Sequence, residues 1–198
     1  MLDGGLVVFP TDTVYGLAAR PDDRDATARV FRAKRRGREL ALPVLVPSVA
    51  SAGDLAAFDE RAELLASAFW PGAVTIVLPR APRSAGWDLG GETATVGIRQ
   101  PAHPLAGAIL EASGPLAVTS ANRSGEPPAS TCDGLRRAFG DSVEVYLCED
   151  EPAAGSASTV IDLAHGAPRL LRQGAVPVDA IARFLPAGEP LLDSRPSP

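Results

Sequence analysis

Short apolar runs, each cut off by proline or glycine, set the limits on how this chain folds. Leu6-Val7-Val8-Phe9 stops at Pro10, residues 73–78 run into Pro79, and residues 116–119 follow Gly114-Pro115 and give way to the polar turn Ser120-Ala121-Asn122-Arg123-Ser124-Gly125. Apolar runs of this length between breakers are buried strands. Residues 42–46, 93–99, 143–147, 158–163 and 169–172 read the same way. Helical spacing places Ala26, Val30 and Phe31 on one face of residues 25–34, and residues 51–69 form an alanine-rich helical stretch closed by Trp70-Pro71-Gly72. Residues 103–112, 131–139 and 178–185 are further helices. Several neighbouring strands have no helix between them. The expected fold is therefore α/β in the α+β-like sense: a single domain over residues 1–185, with a twisted mixed sheet and flanking helices rather than a strictly parallel, doubly wound sheet. Residues 186–198 hold Pro and Ser with little to bury and are expected to form a mobile tail.

Charge and composition remove several function classes. Of 198 residues, 19 are Lys or Arg and 24 Asp or Glu, so the formal net charge of −5 leaves no surplus for coating nucleic acid. Lys34 is the sole lysine against 18 arginines. Cys132 and Cys148 are too few for a disulfide scaffold and do not form a CxxC pair, so they are expected as small buried residues in a reducing compartment. His103 and His165 lie far apart, which argues against structural zinc, and no metal site is expected. His103, before Pro104, fits a helix start. The first residues lack a basic n-region, and no window reaches the ~20 apolar residues of a membrane span, so a cytoplasmic protein is expected.

Neither the P-loop pattern nor GxGxxG occurs, so a nucleotide bound here needs another means of neutralising its phosphates. The densest cationic feature is Lys34-Arg35-Arg36-Gly37-Arg38, at a helix end where cations also complement the dipole. Two segments follow strands with hydroxyls and then small residues: Pro10-Thr11-Asp12-Thr13-Val14-Tyr15-Gly16-Leu17 and Thr119-Ser120-Ala121-Asn122-Arg123-Ser124-Gly125. Sheet proteins place ligands in such loops, although each segment alone also fits a self-bonded turn, and Asp12 fits a cap as well as a site group.

Taken in order, Phe9-Pro10-Thr11-Asp12-Thr13-Val14-Tyr15-Gly16-Leu17, the spaced Lys34 and Arg36, Trp70-Pro71-Gly72, Val96-Gly97-Ile98-Arg99-Gln100-Pro101, the turn at 119–125, Ser158-Thr159-Val160-Ile161-Asp162 and Leu171-Arg172-Gln173-Gly174-Ala175 resemble the successive signatures of the YrdC-like family of L-threonylcarbamoyladenylate synthases. The likeness spans most of residues 5–176 and is of the short, single-domain type.

The resemblance implies a concave basic cavity on a mixed sheet. It also implies a nucleotidyltransferase reaction in which L-threonine, bicarbonate and ATP give threonylcarbamoyl-AMP and pyrophosphate. The product would pass to a transferase that modifies the tRNA adenosine beside the anticodon, with weak tRNA or double-stranded RNA binding as a further expectation. By motif position, Thr13, Arg99, Ser120 and Ser158 would form the threonine pocket. Lys34, Arg36, Thr95, Asn122, Ser130 and Arg172 would contact ATP, with Lys34 and Arg36 the catalytic cations and Mg²⁺ carried on the phosphates. Gly37 and Leu40-Ala41 depart from the family's usual proline and Lys-Pro or Asn-Pro pair, Leu45 replaces a histidine found in many members, and residues 1–5 leave no room for the usual helix ahead of the first strand. A non-catalytic YrdC-like protein binding RNA or a nucleotide is the alternative. The related domain of hydrogenase maturation proteins fits less well, because its acylphosphatase-like domain and zinc-finger cysteines are not in this sequence.

Overall fold

The computed structural model describes residues 4–149 and 155–194. In chain order the elements are β1 (Val7–Phe9), β2 (Gly16–Ala19), α1 (Arg24–Lys34), β3 (Val44–Leu45), α2 (Val49–Gly53), α3 (Glu60–Phe69), β4 (Val74–Pro79), β5 (Thr95–Arg99), α4 (Pro104–Ser113), β6 (Leu116–Ser120), α5 (Cys132–Phe139), β7 (Val145–Tyr146), β8 (Thr159–Asp162), β9 (Arg169–Arg172), α6 (Val178–Ala182) and β10 (Leu192–Asp193). The strands make one sheet in the order β10-β9-β8-β4-β5-β3-β6-β2-β1-β7. Pairs β1/β7, β3/β5, β4/β8 and β9/β10 are parallel and the rest antiparallel, so the sheet is mixed as expected.

Alternation along the strands sends neighbouring residues to opposite faces, and the two faces are covered unequally. Val8, Leu17, Val44, Ile76, Ile98 and Ile161 belong to the larger core, with Val30 of α1, Ala52 of α2, Leu65 of α3, Leu135 of α5 and Ile181 of α6. Val7, Phe9, Ala18, Leu45, Leu116 and Val118 meet α4, through Ala106, Ile109 and Leu110, with Leu147 beside them. Among the described residues, five helices therefore cover one face and one helix covers part of the other. The α4-side face continues beyond α4 through Ser120, two residues past Val118, and through Arg99, paired with Leu45. That uncovered part of the sheet is where polar groups gather.

Three details differ from expectation. The segment expected to close in a small-residue turn at Gly16 instead opens β2 there, wholly buried between β1 and β6. The stretch 51–69 falls in two helices rather than one, because a second helix start lies inside it: Ser48 Oγ caps the first by accepting from Ser51 N (3.2 Å), and Asp59 Oδ1 caps the second by accepting from Ala62 N (2.9 Å). Between them the chain drops fully buried Leu55 into the core, and Ala57 N bonds Pro79 O at 2.9 Å. Cys132 and Cys148, expected as separate small residues, are joined in a disulfide with Cα atoms 5.6 Å apart. They meet because β7 pairs with β1 and turns the chain back past the first residue of α5; a spacing of 16 carries no hint of this.

His103 occupies the N-cap position of α4, with Pro104 following. In the segment expected as a tail, β10 lies parallel to β9, with Leu192 N bonded to Pro168 O at 2.9 Å. Among the described residues, no helix is long and apolar enough to cross a membrane.

Candidate active site

The β1–β2 loop is shaped by its own hydroxyls. Thr11 Oγ1 donates to Val14 O (2.6 Å) and accepts from Thr13 N (3.2 Å), and the Thr11 and Thr13 hydroxyls lie 3.0 Å apart. This holds the Thr13 hydroxyl toward Arg99 of β5, whose Nη1 donates to it at 2.9 Å. Arg99 is 6% exposed; its Nε donates to Gly72 O at 2.9 Å and its Nη2 to the Asp12 carboxylate. Gly72 is itself fixed, its N bonded to Gln100 O (2.9 Å), while Trp70 Nε1 donates to Val74 O (2.7 Å). The Trp-Pro-Gly signature thus works as a brace for Arg99. Burial lowers the Arg99 pKa from its usual value, and the Asp12 charge opposes that shift.

Ser158 and Arg172 adjoin this group. The Ser158 hydroxyl lies 2.8 Å from that of Thr75, and Arg172 donates to Ser158 O from Nε (3.0 Å) and Nη2 (2.9 Å) and to Ser158 Oγ at 3.1 Å. Two glycines let the chain pass this closely. A Cβ on Gly155 would sit 1.8 Å from Thr13 O, and one on Gly174 would sit 2.0 Å from Ala157 O. Ser158 is held between those two contacts. Burial lowers the Arg172 pKa, and the Arg99 and Arg36 charges push it the same way, so three guanidinium groups converge.

Lys34, at the end of α1, organises a second network. It is 3% exposed, and its Nζ donates to Ser120 O (2.5 Å), Asn122 O (2.8 Å) and Asn122 Oδ1 (3.1 Å), which uses all three N–H groups. Ser120 Oγ donates to Asn122 Oδ1 at 2.6 Å, and Asn122 Nδ2 donates to Glu126 O at 2.6 Å. Burial, and then the Arg36 charge, push Lys34 down to about 8. Arg36 reaches Thr119 Oγ1 (3.4 Å) and Leu40 O (2.8 Å), while its Nε is buried with no partner. Burial lowers its pKa too, with Glu39 opposing.

Thr13 and Arg99 thus form one hydrogen-bonded group, Thr75, Ser158 and Arg172 a second, and Lys34, Ser120 and Asn122 a third. Thr95 lies at the far end of β5, four residues from Arg99 on the same face, and Ser130 is exposed in the segment before α5; neither side chain belongs to these networks. A cleft of about 380 Å³ opens beside Asn122, with Arg123, Glu126, Gly134 and Arg137 among its lining. Leu45 is packed under α4, and Leu40 is 67% exposed.

Sequence reasoning missed Thr75 and left Asp12 open. The visible signal for Thr75 is a hydroxyl inside the apolar run Val74-Thr75-Ile76. Asp12 has none without knowing that β5 brings Arg99 to it.

The described residues hold no group of three His, Cys, Asp or Glu placed to bind a metal. Buried guanidiniums beside fixed hydroxyls suit another task, holding an anionic substrate and neutralising phosphate charge.

A family model described as "Telomere recombination", named for Sua5, YciO and YrdC, matches residues 1–174. A Mycobacterium leprae protein provisionally named threonylcarbamoyl-AMP synthase is 46% identical over 183 residues, covering 92% of this chain and 83% of that one. The threonylcarbamoyl-AMP synthase of Pyrococcus abyssi is 39% identical over 190 residues, 92% of this chain and 54% of its own. The solved structure of P. abyssi Sua5 complexed with L-threonine superposes with a TM-score of 0.85 at 36% identity, covering 96% of this chain and 56% of that chain. This chain therefore spans about half the length of the archaeal protein. Matched along nearly all of its length in both sequence and fold, the chain belongs to the Sua5/YciO/YrdC family.

Proposed function

We propose that this protein is a threonylcarbamoyl-AMP synthase: L-threonine, bicarbonate and ATP give threonylcarbamoyl-AMP, pyrophosphate and water. The observation that carries the reading is the buried Arg99, braced by Gly72 and Asp12 beside the Thr13 hydroxyl, with Arg172 held on Ser158 and the Arg36 and Arg99 charges near enough to act on it.

Arg99 holds the threonine carboxylate. Gly72, Thr13 and Asp12 take one N–H each, leaving two of its five for a bidentate grip. Thr13, Ser120 and Ser158 complete the pocket with hydroxyls. Once the amine has been carboxylated, a carbamate oxygen attacks the α-phosphorus of ATP and pyrophosphate leaves. No covalent nucleophile on the protein is required, because the reaction turns on alignment and on neutralising charge. Arg36 is suited to a phosphate oxygen through its partnerless Nε, and Arg172 lies between it and the threonine pocket. Lys34 contributes charge while holding the Ser120–Asn122 turn; Asn122, Thr95 and Ser130 contact the ribose, base or phosphates. Magnesium enters with the triphosphate, held by phosphate oxygens and water. The product goes to a transferase acting on tRNA.

Purified protein incubated with ATP and bicarbonate should release pyrophosphate fastest with L-threonine. Release no faster with threonine than with serine or with no amino acid rejects this reading in favour of a non-catalytic binding protein.

A further inference from the structure

The synthase reading places a zwitterion in a cavity lined by arginines, and this raises an electrostatic problem that one residue is placed to solve. An α-amino acid whose carboxylate rests on Arg99 has its ammonium group within a few ångströms of that guanidinium, with Arg172 and Arg36 adding to the repulsion. Hydroxyls and carbonyls offset such repulsion weakly; a carboxylate offsets it well. Among the described residues, the acid paired with Arg99 is Asp12.

Asp12 spends only half of its acceptor capacity on that pairing. Arg99 Nη2 donates to Asp12 Oδ1, and Asp12 Oδ2 has no hydrogen-bond partner among the described residues. The side chain is 15% exposed, enough for a ligand to reach the second oxygen. Its neighbour Thr13 is committed through its hydroxyl to Arg99 and Thr11, so the loop presents Asp12 from a fixed frame. Thr11 anchors that frame through Val14 O.

We propose that Asp12 is the ammonium-binding residue of the amino-acid pocket: Oδ1 stays on Arg99 while Oδ2 accepts an N–H of the substrate ammonium. Arg99 and Asp12 then form a pair of opposite charges matched to the two charges of one amino acid. The pocket distinguishes an α-amino acid from the same acid with hydrogen in place of the amine, which would leave Oδ2 desolvated and unpaired. This inference rests on threonine being the substrate.

The test is binding of two ligands to the full chain, followed by NMR titration, which reads affinities into the millimolar range. L-threonine carries the ammonium; (R)-3-hydroxybutanoate keeps the carboxylate and the hydroxyl and has hydrogen in its place. Asp12→Asn should weaken threonine tenfold or more and change 3-hydroxybutanoate less than twofold. Asp12→Glu, which keeps the charge, should retain a preference for threonine well above that of the Asn variant, with thermal melts confirming that both variants are folded. Equal weakening of both ligands overturns the proposal, since Asp12 would then only steady Arg99. Tighter threonine binding by the Asn variant overturns it as well, since Asp12 would then compete with substrate for the guanidinium. A Glu variant with no more preference than Asn is a third contrary result. Wild-type protein that binds no threonine rejects the synthase reading itself, and this inference falls with it.

Discussion

Arg99 and Arg36 present the same functional group under very different conditions. Arg99 has an acceptor on each of its three nitrogens and is braced by Gly72, Thr13 and Asp12. Arg36 has a long contact to Thr119, a bond to the carbonyl of exposed Leu40, and a buried Nε with nothing to donate to. On the proposed function, the threonine end would be assembled before its ligand arrives and the nucleotide end would be completed by its ligand. A small zwitterion offers few contacts, so its site gains from being rigid beforehand; a triphosphate brings enough charge to order its own partners.

The sharpest way to break this contrast is Arg99→Lys. A point charge cannot reproduce the fork, so threonine affinity should fall by about a hundredfold or more, roughly 2.7 kcal/mol, while binding of a non-hydrolysable ATP analogue stays within threefold. Calorimetry with each ligand checks it, and equal losses would erase the distinction between the two ends. Lysine is chosen over alanine because alanine strands the half-buried Asp12 charge, a cost that would confuse binding with folding.

Arg36→Ala should act on the other end. The KM for ATP should rise by about tenfold to 150-fold, as expected for losing charge-assisted bonds of roughly 1.5–3 kcal/mol, with threonine affinity and the melting temperature nearly unchanged. Pyrophosphate-release kinetics would show it, and unaltered kinetics would remove Arg36 from phosphate binding.

pH separates the ends more gently. Arg99 remains charged throughout, but Lys34 loses its proton near 8, so affinity for the ATP analogue should fall several-fold between pH 7 and 9. Stability moves the opposite way. The unfolded chain keeps this proton up to about 10.5 and so binds more protons than the folded one, so Lys34's contribution rises from about pH 8 to about 10.5. Parallel binding and urea-unfolding series would expose any failure of these opposed trends.

The smallest effect belongs to neither end. His165 Nδ1 lies 2.8 Å from Asp162 and Nε2 3.0 Å from Glu92, and these hydrogen bonds, Asp162 first, raise its pKa. A raised pKa means stability present below the ordinary histidine value and lost as pH rises through the folded one. With the side chain 41% exposed, the contribution is under about 1 kcal/mol. His165→Ala should lower the melting temperature slightly at pH 5.5 and not at pH 8.5, without altering either ligand's affinity.

The same division explains what could be read in advance. Strands such as 73–78 and 116–119 were legible because apolar runs between breakers have few other fates, and the mixed sheet followed from strands lacking helices between them. β2 was not, because Gly16-Leu17-Ala18-Ala19 is short and built of small residues; its burial is imposed by β1 and β6 on either side. Alanine spacing in 51–69 hid the break that Asp59's cap creates. In the site, the ordered motifs pointed to Arg99, Ser158 and Lys34. The partners of those residues, Asp12, Gly72 and Thr75, depend on which strands become neighbours, and no local pattern records that.

Lys34 carries a consequence of a practical kind. It is the only lysine in the sequence, and in the folded protein its amine is sealed against three oxygens of the 120–122 turn. Apart from the terminal amine, an acylating reagent therefore finds its target only when that turn lets go. The chain holds its own single-site clock for the opening of its nucleotide end, read by the mass of one added acyl group.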